Sequence, residues 1–174
     1  AASDVYKRQI LTISDSRTLA NDKSGDILNK LIKESHHNLS ERGIVKDNIY
    51  SIRSIVSLWI DNKDIDVVIT TGGTGITGTD GTPEAIEVLF DKKIDGFGEI
   101  FRMLSYNKIK TSTIQSRATS GVANSTYIFC LPGSPGACKD AWIDIIQHQL
   151  DSEHKPCNLT ELIPRLKDLS LIHI

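Results

Sequence analysis

The apolar run Ile65–Ile69, which passes directly into Thr70–Glu84 (Thr-Thr-Gly-Gly-Thr-Gly-Ile-Thr-Gly-Thr-Asp-Gly-Thr-Pro-Glu), constrains the fold more than any other stretch. Val67, Val68 and Ile69 are uninterrupted, as in a parallel strand buried on both faces. The stretch ends in a helix start. Thr82 can accept from free amides of the first turn, Pro83 pre-sets the first helical position, and Glu84 suits the positive helix end. The glycines between strand and helix let the backbone approach a ligand closely. Strand, glycine loop and helix start together make an anion site. A plain flexible turn is the competing reading; Asp80 inside the loop and the capping signal after it weigh against that. No Lys-Ser or Lys-Thr follows the glycines and Gly-x-Gly-x-x-Gly fits poorly, so this is not a nucleotide P-loop. A phosphate here relies on amides and a metal.

At 174 residues the chain has the size of one domain, expected over residues 10–168, with Ala1–Gln9 and Leu169–Ile174 reading as non-native ends. A net charge of −2 leaves no electrostatic footprint for nucleic acid or a membrane surface, and no apolar stretch approaches the length of a membrane span. The odd count of three cysteines, without a Cys-x-x-Cys pair, reads as reduced thiols in a cytoplasmic protein.

Ile10–Ser14 reads as the first strand, delivering Asp15-Ser16-Arg17 toward a ligand crevice or simply into a strand-to-helix loop. Asp22 and Ser24 are candidate caps for a helix with Ile27, Leu28, Leu31 and Ile32 on one face; His36 and His37 end it as surface residues. After a short strand near Gly43–Val45, Asp47 or Asn48 caps the next helix. Asp47 has a second reading, at the carboxyl end of a strand and facing the same crevice as Asp80. A helix through Ile86–Phe90 follows, then a second within Ile94–Ile109, whose aromatic and Met positions read as core or subunit contact. The hydroxyl-rich Thr111–Ser120 suits a polar or anionic ligand, with Arg117 as its most telling member, or is a polar loop. Thr119–Val122 and Thr126–Leu131 flank a hairpin turn and form an antiparallel edge pair. Leu131–Gly136 is a second turn-rich loop ahead of a helix near Ala137–Gln147, so two anion sites can face one crevice.

Four segments carry a family resemblance: Thr-Ile-Ser-Asp-Ser-Arg at 12–17; Thr-Gly-Gly-Thr-Gly at 71–75 with Asp80 and Thr82-Pro83-Glu84; Gly96–Glu99 running into Phe101–Ser105; and Leu131–Ser134. In this order they resemble the B-type molybdenum cofactor biosynthesis proteins and the related molybdopterin adenylyltransferases. The tail Lys155-Pro156-Cys157-Asn158 is similar to the B type in particular. The resemblance implies a three-layer α/β/α fold with a mostly parallel sheet and one antiparallel edge pair, assembled as homotrimers or paired trimers. It implies molybdopterin and nucleotide as ligands, with other molybdenum cofactor biosynthesis proteins as partners. The activity implied is adenylylation of the pterin's terminal phosphate from ATP and magnesium; the alternative is a non-catalytic pterin carrier. A third reading is a nucleotide hydrolase like the domain of competence-damage-inducible proteins, which the Cys157-Asn158 tail disfavours. By family correspondence Asp47 and Asp80 are the magnesium-binding and catalytic carboxylates. Thr71, Gly72, Gly73, Thr74 and Gly75 are expected to bind one phosphate set, Ser105, Ser116, Arg117, Pro132, Gly133 and Ser134 to hold the pterin or the adenylate, and Ser14, Asp15, Thr82, Pro83 and Glu84 to complete the ligand-binding residues.

Overall fold

The structure, a computed structural model, describes residues 7–166. One six-stranded sheet runs through it in the order β2-β1-β3-β6-β5-β4. Its strands are β1 (Lys7–Ile13), β2 (Asn38–Val45), β3 (Val67–Thr71), β4 (Lys92–Lys93), β5 (Thr119–Ala123) and β6 (Thr126–Leu131). The first four in spatial order are parallel; β5 and β4 add an antiparallel end.

The uninterrupted apolar strands are explained by helices on both faces. Ile10, Val67, Ile69 and Phe129 pack with Leu28 and Ile32 of α1 (Lys23–Glu34), with Phe97 and Phe101 of α4 (Asp95–Ile109), and with Cys138 and Ala141 of α5 (Pro135–Ala141). Their sequence neighbours Leu11, Val68 and Ile128 point the other way, onto Ile52, Val56 and Trp59 of α2 (Ile49–Asp61) and onto Ala85 and Ile86 of α3 (Thr82–Ile86). Each such side chain taken out of water contributes about 1.5–3 kcal/mol. Two buried layers of this kind make the architecture α/β/α.

Several elements differ from the sequence reading. β1 begins at Lys7, so Lys7, Arg8 and Gln9 are strand, paired with β2 and, from Arg8 on, with β3. The other residues set aside, 1–6 and 169–174, lie outside the described residues. β2 has eight residues, Asn38–Val45, and not only the stretch near Gly43–Val45; its polar first half, on an edge strand, carries no apolar run to mark it. His37 is buried, edge-on to Trp142 at 5.5 Å, and only His36 is exposed. The helix expected through Phe90 ends at Ile86 and tightens into a 3-10 turn, Glu87–Leu89, before β4. β4 pairs with β5, so β5 is interior and the edge itself is two lysines, which discourages further strand pairing. α5 continues through a π-helical segment, Trp142–Ile146, into α6 (Gln147–Gln149). The polar tail packs back on the domain: Tyr127 donates to the Leu159 carbonyl at 2.8 Å, ahead of α7 (Ile163–Leu166). Among the described residues no helix is long and apolar enough to cross a membrane.

Candidate functional site

The carboxyl ends of β1, β3 and β6 open on one cavity of about 500 Å3, closed on another side by α4. This is the position where open α/β sheets place their ligands. β3 leaves the sheet through two left-handed glycines. Gly72 (φ +104°) passes so close to β1 that a Cβ would sit 2.3 Å from the Ile13 carbonyl oxygen, and its amide donates to Leu131 O at 3.0 Å. A Cβ on Gly73 (φ +67°) would meet Thr82 Oγ1 at 2.3 Å and Asp47 Oδ2 at 3.0 Å. The loop is thus laced to both neighbouring strands and to α3.

That lacing changes the role expected of several residues. Thr82 is the first residue of α3, and its hydroxyl donates to Gly72 O at 2.8 Å instead of accepting from first-turn amides; Gly81 is the cap and offers no side chain. With five residues α3 is too short to supply a helix-end anion site, contrary to the expectation from sequence. The Gly72 amide is spent on Leu131, the Gly75 amide on the Asp80 carboxylate, and the Thr71 hydroxyl on Pro132 O at 2.8 Å. The Gly73 and Thr74 carbonyls are likewise taken, by the Thr82 and Arg117 amides at 3.0 Å.

Asn48 caps α2, its side chain accepting from the Tyr50 and Ser51 amides at 3.0 Å. Asp47 is therefore free for its other role. Its Oδ1 accepts from the Gly81 amide at 3.2 Å, beside Asp80, and its own amide donates to Asp15 Oδ1 at 3.1 Å. Burial pushes the Asp47 carboxyl above its ordinary pKa; the Gly81 amide opposes this, while the negative charges of Asp80, Asp15 and Glu84 add to it. Asp80 is shifted the other way. The Thr77 hydroxyl, at 2.6 Å, lowers its pKa most; burial opposes, and the Thr77 and Gly75 amides and the Arg117 charge assist. The two carboxylates differ in proton affinity while converging on one loop.

Asp80, Ser14, Ser105, Ser116, Thr74, Gly72, Gly73 and Gly75, and the Pro132–Ser134 loop line the cavity together. Arg117 does not. Its Nε donates to Gly75 O at 2.7 Å and its Nη2 to Asp80 O at 2.9 Å, and it forms an ion pair with Glu84. With Pro83 and Glu84 it lines an adjoining cavity of about 430 Å3, and Ser116 borders both. Thr71 and Thr82 are buried supports, and Asp15 is exposed beside Asp47. The sequence reading omitted Arg17 from the site, although it named the stretch containing it; Arg17 and Asp80 are the charged residues lining the larger cavity.

Among the described residues no cluster of three or more His, Cys, Asp or Glu side chains could cage a metal. Magnesium does not need one, because it keeps waters and takes one or two carboxylates plus substrate phosphates. Asp80 on the cavity wall and Asp47, bonded to the Gly81 amide beside it at 3.2 Å, are two carboxylates of the number and kind such an ion takes.

Residues 9–152 match the family model described as "Probable molybdopterin binding domain". The chain belongs to that molybdopterin-binding-domain family. It is similar to the molybdenum cofactor biosynthesis protein B of Escherichia coli (strain K12), 52% identical over 149 residues that cover 86% of this chain and 88% of the relative. The crystal structure of a molybdenum cofactor biosynthesis protein B superimposes with a TM-score of 0.80 at 39% identity, covering 98% of this chain and 97% of that one. That of the tungsten cofactor synthesizing protein MoaB from Pyrococcus furiosus gives 0.75 at 31% identity, covering 95% and 97%.

Proposed function

We propose that this protein acts in molybdenum cofactor biosynthesis, holding molybdopterin in the cavity at the carboxyl ends of β1, β3 and β6 and joining AMP from ATP to its terminal phosphate. The observation that carries the proposal is Asp80 on the cavity wall with Asp47, from the turn between β2 and α2, bonded to the Gly81 amide next to it in sequence.

A phosphate monoester has its second pKa near ~6, so the pterin's phosphate is largely ionised at neutral pH and needs little help from a base. An oxygen of that phosphate attacks the α-phosphorus of ATP; the new P–O bond forms as the bond to the β,γ-phosphates breaks, and pyrophosphate leaves. The obstacle is bringing two anions together, so positioning and charge neutralisation supply the catalysis. Magnesium, held by Asp47 and Asp80, supplies that neutralisation when bound. Arg117 fixes the Gly75 and Asp80 carbonyls and so sets where the Asp80 carboxylate stands. Ser105 and Ser116 offer hydroxyls to the pterin, the Pro132–Ser134 loop walls the cavity, and Phe101 and Ile109 add apolar surface. A cytoplasmic homotrimer or pair of trimers belongs to the same proposal. Exposed Met103, Tyr106 and Ile109 on α4, with Ile114 beyond it, offer an apolar face for such assembly.

Asp80→Asn tests the proposal. Turnover of molybdopterin with Mg-ATP is expected to fall at least a hundredfold, while pterin affinity stays within a few-fold, because the ion loses a charged ligand. Equal losses of binding and turnover would assign Asp80 to ligand binding. A second reading, a pterin carrier without transfer, is favoured by the number of loop donors already bonded within the protein. Saturable pterin binding with no ATP affinity in the wild type would select it.

A further inference from the structure

Arg117, the arginine the sequence singles out, is consumed by Glu84 and two carbonyls. Arg17 is in the opposite situation. It lines the large cavity with its side chain one-third exposed. Nη1 donates to Ser24 Oγ at 2.9 Å, and that hydroxyl in turn donates to Gly133 O at 2.6 Å. The backbone amide of Arg17 donates to Ser14 Oγ at 3.1 Å. The guanidinium is thereby tied at Nη1, through Ser24, to the Gly133 loop, while Nε and Nη2 meet no acceptor among the described residues.

The nearest carboxylate does not quench it. Asp22 Oδ1 lies 3.7 Å from Arg17 Nη1, but buried Asp22 already takes Thr12 Oγ1 at 2.6 Å, Arg42 Nη2 at 2.9 Å and the Gly25 amide at 3.0 Å. Arg42, not Arg17, is the close partner of Asp22. Arg17 is left with a positive charge, an anchor at Nη1 and spare donors at the wall of a cavity whose other lining charge is Asp80. A planar fork in that state is suited to bidentate recognition of phosphate.

We infer that Arg17, positioned by Ser24 and the Gly133 carbonyl, forms a phosphate subsite in this cavity. The inference rests on the proposed function only in expecting a phosphate-bearing ligand. The phosphate belongs either to the pterin or to the nucleotide, whose oxygens present the same chemistry. Arg17 and Asp80 then divide the ligand's charge between them: the arginine takes phosphate directly and the carboxylate takes it through a cation.

The test is calorimetric titration of the full chain with inorganic pyrophosphate in the absence of magnesium. Arg17→Gln is expected to weaken binding at least tenfold with an unchanged Tm. Ser24→Ala should weaken it several-fold, and Arg17→Lys should fall between, keeping the charge without the fork. Lys63→Gln, at the far end of β3, controls for net charge and is expected to bind like the wild type. Wild-type affinity in Arg17→Gln overturns the subsite, as does absence of pyrophosphate binding by the wild type. Titration of Arg17→Gln with molybdopterin and with ATP identifies the source: a loss confined to one assigns the subsite to that ligand. If Arg17-dependent pyrophosphate binding is found but the wild type transfers no adenylyl group, the proposed function fails and the subsite stands. If Arg17→Gln transfers with wild-type kcat/KM, the subsite fails and the function stands.

Discussion

At the scale of single residues, the site is decided by backbone that only glycine adopts and by two carboxylates of opposite tendency. Gly72→Ala forces a Cβ to 2.3 Å from the Ile13 carbonyl at φ +104°. The left-handed penalty of about 1–2 kcal/mol is then added to a backbone clash. The expected outcome is a Tm lower by several degrees and displaced Gly73–Gly75 amide resonances; a wild-type amide spectrum would contradict the close approach. Asp47 gives a pH prediction. Its raised pKa means the folded protein holds that proton more tightly than the unfolded chain, so its stabilising contribution is present at low pH and is lost as pH rises through the folded value. Magnesium needs the ionised form. Magnesium affinity is therefore expected to climb with pH through the Asp47 transition, and Asp47→Asn should flatten the climb; an unaltered profile would remove Asp47 from the ion. The sequence offers Asp47 or Asn48 as the cap of α2, and since Asp and Asn cap equally well only the geometry decides that Asn48 does so. Arg17 was harder to read. Its importance comes from Ser24 and Gly133, and no spacing along the chain announces that contact.

At the scale of elements, the link between β3 and α3 is a braced loop more than a helix end. Arg117, arriving from the turn before β5, ties Gly75 to Asp80 across it, and its amide donates to Thr74 O at 3.0 Å. Arg117→Gln is expected to speed hydrogen exchange at the Thr77 and Asp80 amides and to lower kcat of the proposed transfer at least tenfold, with Tm moved by only a degree or two because the brace is partly exposed. Unchanged exchange at those amides would show that the brace is unnecessary. β3, β6, the hairpin and α4 were readable because buried strands and amphipathic helices write their environment into their own sequence. Of β2 only the end near Gly43–Val45 was readable, and the first three residues of β1 were not, since the polar starts of these strands carry no periodic signal. The early end of α3 was hidden for a related reason: Val88 and Phe90 keep an apolar pattern while the backbone has already turned toward β4.

At the scale of the whole molecule, two apolar layers hold a mostly parallel sheet whose strand ends meet at one cavity, and a buried polar network stabilises the rim. Asp22 joins α1 to β1 and β2 through Thr12 and Arg42. Burial opposes its charge, but the Thr12, Arg42 and Gly25 bonds outweigh burial and depress its pKa. Its contribution is thus present above the ordinary carboxylate range and is lost as pH falls through the folded value. Asp22→Asn, which leaves the Arg42 guanidinium short of its buried partner, is expected to cost about 3 kcal/mol at neutral pH and progressively less in acid, checked by urea unfolding across pH. The claim on which the functional proposal most depends is that this cavity is where phosphate and a divalent ion meet. A crystal structure of the protein with molybdopterin, a non-hydrolysable ATP analogue and manganese in place of magnesium measures it directly through the anomalous signal of the metal. The predicted result is a manganese peak in coordination reach of the Asp80 and Asp47 carboxylates, with phosphate oxygens completing its shell. A peak elsewhere on the surface, or ligands bound with both carboxylates untouched, would contradict it.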